Sequence, residues 1–215
     1  MESVLVISGW AHGLEAIRPI GDALRDQFAV QLMTGNDVLK KRRVPDADVI
    51  VTGSMGGLLA MEHLPPSCRK LVLISSTARF CATEGYACGT HEKILKRMIL
   101  MLKRNPEAVL NDFFRNVHYP YEYHTCASVK NSPDELAAGL EYLLASDVRA
   151  HVPTIGIPVQ LFHGSKDRII PAGAAEWLHA HLPDSSLTVY DDGHGLAAHH
   201  FHPMMKQIRS FLLPD

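Results

Sequence analysis

No stretch of the 215-residue chain approaches the roughly 18 apolar residues a membrane-spanning helix needs, so a transmembrane protein is not expected. The N-terminus, MESVLVISGWAHG, lacks a basic n-region and its apolar run Val4 to Ile7 covers only four residues, which argues against a signal peptide. The C-terminus, RSFLLPD, carries no lipidation signal. Cysteine is scarce: the four present, Cys68, Cys81, Cys88 and Cys126, show neither C-x-x-C spacing nor the density of a disulfide framework. A reducing compartment and a soluble, cytoplasmic protein are the expectation. An excess of one charge is also missing, with 21 Lys plus Arg against 23 Asp plus Glu and a formal net charge of −2. Such a chain has no global field for holding nucleic acid or an anionic membrane, and any electrostatic partner must be met locally. No internal repeat or low-complexity linker is found.

What is present is 47% apolar and 20% charged residues, enough for one globular domain with a sizeable core. Short β-rich runs bounded by Gly, Pro or Asp recur at Val4 to Ile7, Ala29 to Met33, Val49 to Thr52, Leu71 to Ile74, Val159 to Phe162 and Leu187 to Tyr190. VLVI, VIV, LVLI and VQLF are continuous rather than alternating, as strands covered on both faces are, and helical patterns separate them. This predicts an α/β protein with a mainly parallel sheet of about six strands.

The alternation breaks between about Thr77 and Pro153, where helical patterns stand without a strand. Residues 1–78 and 151–215 are therefore expected to form the core, and 79–150 a helical cap. A first cap helix, Thr90 to Lys103, is expected to put Ile94, Leu95, Met98, Ile99 and Leu102 on one face and its basic residues on the other. A second is predicted to start at Asn105-Pro106, and a third at Ser132-Pro133-Asp134-Glu135, where serine and glutamate form a capping box.

The chemistry lies at strand ends. After Val49 to Thr52 comes Gly53-Ser54-Met55-Gly56-Gly57, a tight turn into an apolar helix, the setting in which a strained serine projects from the sheet's carboxyl edge. The pattern G-x-S-x-G is imperfect, because Thr52 stands where glycine is expected. The bland alternative is a glycine-rich turn used for packing or for phosphate. Asp167 follows the Val159 strand and His194 the Leu187 strand, so three strand ends supply Ser54, Asp167 and His194 in the order Ser, acid, His. A serine hydroxyl is a weak nucleophile, so His194 would take its proton and return it to the leaving group. Asp167 would hold the imidazole in one tautomer and stabilise its cation. Asp191 and Asp192 are rivals, placed too close to His194 in sequence to reach its far side. The oxyanion needs two amide donors, for which Met55 and Trp10 are the backbone candidates.

Other constellations are weaker. His194, His199, His200 and His202 could be read as metal ligands but lack a pattern such as H-E-x-x-H, and no metal is expected. The run Lys40-Lys41-Arg42-Arg43 reads as a solvated loop or a docking site for an acidic partner. Trp10, Phe113 and Phe114 are core or pocket aromatics.

Across nearly its whole length the chain resembles the α/β-hydrolases, and within them the BioH-type esterases of biotin synthesis, which remove the methyl group from pimeloyl-acyl carrier protein methyl ester. The resemblance rests on VLVISGWAHGLEAI, GSMGGLLA, LVLISSTARFCA, GLEYLLASDVR and the segments carrying Asp167 and His194. GLEYLLASDVR is the most specific to the subfamily; the other motifs are shared by lipases, carbon–carbon hydrolases and haloperoxidases. The chain departs from the pattern in Ser8, where the family has histidine, in Thr52, and in starting at what resembles the third strand, so that the N-terminal edge hairpin is expected to be missing. The resemblance implies a serine carboxylesterase working through an acyl-enzyme on Ser54, with no cofactor. It implies an acyl chain between cap and sheet near Trp10, Met55 and Phe113, and an acyl carrier protein docked on Arg97, Lys103, Arg104 and Arg115. A general short-chain esterase or thioesterase, or a non-catalytic binding protein of the same fold, are the alternatives.

Overall fold

The computed structural model describes residues 1–123 and 130–213; Cys126 lies outside the described residues. Six strands, β1 (Ser3–Ile7), β2 (Ala29–Met33), β3 (Val49–Gly53), β4 (Lys70–Ile74), β5 (Val159–Gly164) and β6 (Ser185–Tyr190), form one sheet in the order β2-β1-β3-β4-β5-β6. Every neighbouring pair is parallel. The order reverses between β1 and β3, paired at Ile7 and Thr52. At such a switch point successive connections leave toward opposite sides and open a crevice beyond the carboxyl ends.

Strand side chains alternate between two packing layers, because successive Cβ atoms point to opposite faces. Leu5, Ile7, Ile50, Leu71 and Leu73 belong to one core layer, with α2 (Gly35–Lys41), α3 (Met55–Glu62) and α7 (Gly173–His181). Val4, Val6, Val49, Val51, Val72 and Ile74 belong to the other, which α1 (Leu14–Leu24) and α9 (Phe201–Leu212) cover. Between β4 and β5 stand α4 (Glu92–Leu102), α5 (Pro106–His118) and α6 (Pro133–Ala145), whose buried residues, among them Leu95, Phe113 and Leu140, join the first layer. The chain enters and leaves this helical segment through a narrow neck: Arg79 and Asp147 share an antiparallel bridge and a 2.8 Å ion pair, and Arg149 reaches the same carboxylate at 2.7 Å. Hydrogen bonds from Arg149 hold the Asp147 carboxyl down at about 2.

The helix starts follow local chemistry. The Asn105 side chain accepts from the Ala108 amide with Pro106 at the first position, and Ser132 and Glu135 close the capping box in both directions. One expectation is corrected: Ile94 is 52% exposed. Two turns apart, Leu95 and Leu102 take the buried seam of α4, and Ile94, about 100° away around the helix, faces solvent with Leu100. The basic run is also no loop: Lys40 and Lys41 close α2, Lys40 pairs with Glu135 of α6, and Arg42 caps the helix at φ 48°.

Replacing Ser132 with alanine removes one half of the capping box and frees the other. Chemical denaturation should show a loss of about 1 kcal/mol, the usual cost of an N-cap.

Candidate active site

Ser54 stands alone between the end of β3 and the start of α3, with φ 52° and ψ −121°. A non-glycine residue keeps such a backbone only where its surroundings over-determine it. Here the Ser54 amide donates to the Ile74 carbonyl (2.8 Å), while its own carbonyl accepts from the Gly57 amide (2.9 Å) and the Ser76 hydroxyl (3.0 Å). Close approach adds to this: a Cβ on Gly57 would fall 2.1 Å from the Ser76 Oγ, and one on Gly9 3.0 Å from the Ser54 Cβ. Thr52, the residue out of pattern, is buried and its hydroxyl donates to the Val72 carbonyl at 3.2 Å, so it serves β3 while the turn forms beyond it.

From the ends of β6 and β5, His194 and Asp167 meet at 2.7 Å between Nδ1 and Oδ2, both nearly sealed from solvent. Asp167 is held from every side: its Oδ1 accepts the Ile169 and Ile170 amides at 2.8 and 2.9 Å, and His163 Nε2 lies 3.3 Å from its Oδ2. Burial alone would raise its pKa; the His194 charge and the bonds from His163 and His194 outweigh that and hold the carboxyl well below the usual range. His163 was not singled out from the sequence, although it sits in the same HGSKD segment as Asp167. The Ser75 hydroxyl donates to the His194 carbonyl at 2.9 Å and ties the His194 loop to β4. The rival carboxylates are engaged elsewhere: Asp191 pairs with Lys166, and buried Asp192 faces His199 and His200. Among the described residues no group of three His, Cys, Asp or Glu side chains is arranged for a metal ion.

Ser54 and His194 line one cleft of about 550 Å³. The loop after β1 closes against it and is folded on itself. Ser8, buried where the resemblance expects histidine, donates from its hydroxyl to the His12 carbonyl at 2.7 Å. His12 Nδ1 bonds the Trp10 carbonyl at 2.8 Å, and Trp10 Nε1 donates to the Leu136 carbonyl of α6 at 2.8 Å. Because a carbonyl only accepts, His12 carries its proton on Nδ1 and leaves Nε2 as an acceptor. Burial against Phe113 and Phe114 pushes the His12 pKa down to about 4 despite that backbone bond. The Met55 amide is the first of α3, one of the N–H groups that a helix leaves unpaired.

The side chains expected near substrate divide differently. Trp10, Met55 and Phe113 are buried in the first core layer, with Trp10 and Phe113 edge to face at 4.6 Å, and none of the three lines the cleft. Phe114, Val117 and His118 of α5 do. Arg97, Lys103, Arg104 and Arg115 are exposed, and Arg115 pairs with Asp112 at 2.7 Å.

A doubly wound parallel sheet with a strained serine at its switch point, and a His–Asp pair from the ends of β6 and β5, defines the α/β-hydrolase class. Residues 26–199 match the family described as serine aminopeptidase, S33, and the chain belongs to that family. It is similar to pimeloyl-[acyl-carrier protein] methyl ester esterases of Nitrosomonas europaea, at 31% identity over 69% of this chain and 64% of that protein, and of Aromatoleum aromaticum, at 32% over 70% and 68%. The aligned part thus spans about two thirds of those relatives' own lengths. In fold it is similar to an esterase from Exiguobacterium antarcticum, with a TM-score of 0.84 and 19% identity over 98% of this chain and 91% of that one.

The depressed His12 sets a pH dependence of stability. In the unfolded chain His12 binds a proton near pH 6.5, in the folded chain only near 4, so between these values the unfolded state holds more protons and acidification favours it. Urea titrations should show His12→Gln losing less stability than the wild type between pH 6.5 and 4.

Proposed function

We propose that the chain is a serine carboxylesterase in which Ser54 is the nucleophile, His194 the general base and Asp167 its orienting carboxylate. The observation that carries this reading is the 2.7 Å Asp167–His194 pair opening onto the same cleft as the strained Ser54. The ester carbonyl carbon is attacked by Ser54 Oγ as its proton passes to His194 Nε2. The negative charge that develops on the carbonyl oxygen is taken by the amides of Met55 and Trp10. Collapse of the intermediate expels the alcohol, protonated by His194, and leaves an acyl-enzyme that water hydrolyses by the same route. Asp167 keeps Nδ1 protonated throughout, so that Nε2 faces the serine.

The substrate proposed is the methyl ester of an acyl chain on acyl carrier protein, pimeloyl-acyl carrier protein methyl ester above all, with methanol leaving. Its support is the similarity to proteins carrying that name, together with the exposed Arg97, Lys103, Arg104 and Arg115, which suit an acidic carrier. Residues 79–150 serve in this reading as a cap, whose base is the Arg79–Asp147–Arg149 neck.

The experiment is ester hydrolysis by wild type and Ser54→Ala on methyl pimeloyl-acyl carrier protein and on a free short-chain ester, beside labelling with a fluorophosphonate. The expected outcome is a Ser54 adduct, no turnover by Ser54→Ala and a preference for the carrier-bound ester. Equal rates for the two proteins would end the assignment of Ser54, and cleavage of the free ester alone would leave a general esterase. Asp167→Asn should lower kcat by about four orders of magnitude, the loss when the imidazole is left without its carboxylate.

A further inference from the structure

Strand β5 is buried along its whole length, and its one ionisable residue, His163, is 0% exposed. A histidine so placed gives up its hydration, which costs free energy unless the polar atoms of the ring find partners. Nε2 has two, the Ile170 carbonyl at 2.9 Å and Oδ2 of Asp167 at 3.3 Å. Nδ1 has no hydrogen-bond partner among the described residues. A carbonyl and a carboxylate only accept, so Nε2 bears the proton and Nδ1 is bare. A second proton, on Nδ1, would be a buried donor without an acceptor, so the geometry holds the ring in one neutral tautomer.

With that donor in place, every lone-pair position of the Asp167 carboxylate is taken. Oδ1 receives the Ile169 and Ile170 amides, and Oδ2 receives Nδ1 of His194 and Nε2 of His163. Ile170 enters twice, its amide binding the acid and its carbonyl binding His163, so the chain from β5 to Ile170 is closed around the carboxylate. The neighbouring cations face elsewhere: Lys166 pairs with Asp191 at 2.8 Å, and the Arg168 guanidinium lies over the Tyr119 ring, 3.2 Å from its centre. His163 and His194 are thus the titratable groups that act on Asp167. His163 does not line the cleft, so whatever it does for the reaction it does through the acid.

We propose that His163 is a positioning residue for ester hydrolysis at Ser54, a neutral second donor that fixes the Asp167 carboxylate and moderates its pull on the catalytic imidazole. The proposal rests on the reading of Ser54, Asp167 and His194 as a triad and adds to it a fourth side chain. Without His163, Oδ2 would bind His194 alone and be the stronger acceptor. The imidazolium would be held more tightly, and a higher pH would be needed to free Nε2 for the serine proton. With His163 in place the acid cannot take a proton without losing one of its donors, so the proton from Ser54 stays on His194.

The test compares wild type with His163→Phe, which keeps a ring and removes the donor, and with His163→Gln, whose amide N–H can stand near the place of Nε2. The readouts are the pH profile of kcat/KM on p-nitrophenyl acetate and the melting temperature. His163→Phe should lower kcat/KM at neutral pH by about tenfold, the weight of one hydrogen bond to a charged group. It should also move the acid limb of the profile up by about one pH unit. His163→Gln should restore the limb and most of the rate. A residue that only packs would shift the melting temperature and leave the acid limb where it is. A folded His163→Phe with the wild-type limb, or a folded His163→Gln that does not restore it, overturns the proposal. If neither variant folds, nitrogen NMR of the isotope-labelled wild type decides: a His163 ring with its proton on Nε2 and a bare Nδ1 at neutral pH upholds the proposal, and any other state of the ring overturns it. Failure of wild type to form a Ser54 adduct with a fluorophosphonate would overturn the triad reading itself, whereas an intact adduct with an unmoved limb overturns the role of His163 alone.

Discussion

The left-handed backbone at Ser54 constrains everything around it. To hold φ at 52° the protein spends both of the residue's backbone polar groups on β4 and α3, and it packs Gly9 tightly against Ser54 and Gly57 so close to Ser76 that a Cβ there would clash. The strain, of order 1–3 kcal/mol for such a conformation, is sustained because the parallel register of β1, β3 and β4 leaves the turn no other place to go. The same geometry aims the hydroxyl beyond the carboxyl edge, starts α3 one residue later and sets a free helix amide beside it. Ser75, also at positive φ, extends this arrangement by binding the His194 carbonyl.

Around that turn the two faces of the sheet play different parts. One carries the larger share of the core and closes fully: α2, α3, α7 and the three helices after β4 interlock there, with Trp10 fixed by Leu136 and Phe113. The other is covered, among the described residues, by α1, α8 (Leu196–His199) and α9, and the Ser54 cleft opens near the switch point. A rigid wall behind the serine and an apolar space before it are what an acyl-transfer site needs, since the first fixes the attacking atom and the second excludes water from the chain.

Much of this was legible in the residues. The six apolar runs became six strands within one or two residues, the inner four because a strand buried on both faces has little choice of composition. The Asn105 and Ser132 starts held because capping is local chemistry. Ser54, Asp167 and His194 converge because a parallel sheet delivers all its strand ends to one edge. What stayed hidden depends on distant packing. Trp10, Met55 and Phe113 are all apolar residues near the turn, and only the tertiary arrangement decides that they are core while Phe114, next in sequence, lines the cleft. Ile94 turned outward because α4 has a narrow seam, and His12 and His163 gain meaning only from the carbonyls and carboxylate they meet.

A carrier docked on the basic residues would meet the cleft at helix α5. Helix α5 belongs to both: Phe114, Val117 and His118 line the cleft, while Arg115 on the same turn is exposed. An acidic carrier held at Arg115 would therefore stand about one helix diameter, about 10 Å, from the cleft. Arg97 of α4, and Lys103 and Arg104 just beyond it, are exposed as well. Contacts there would add to encounter rate more than to the placing of the chain, since exposed charges act mainly through long-range steering.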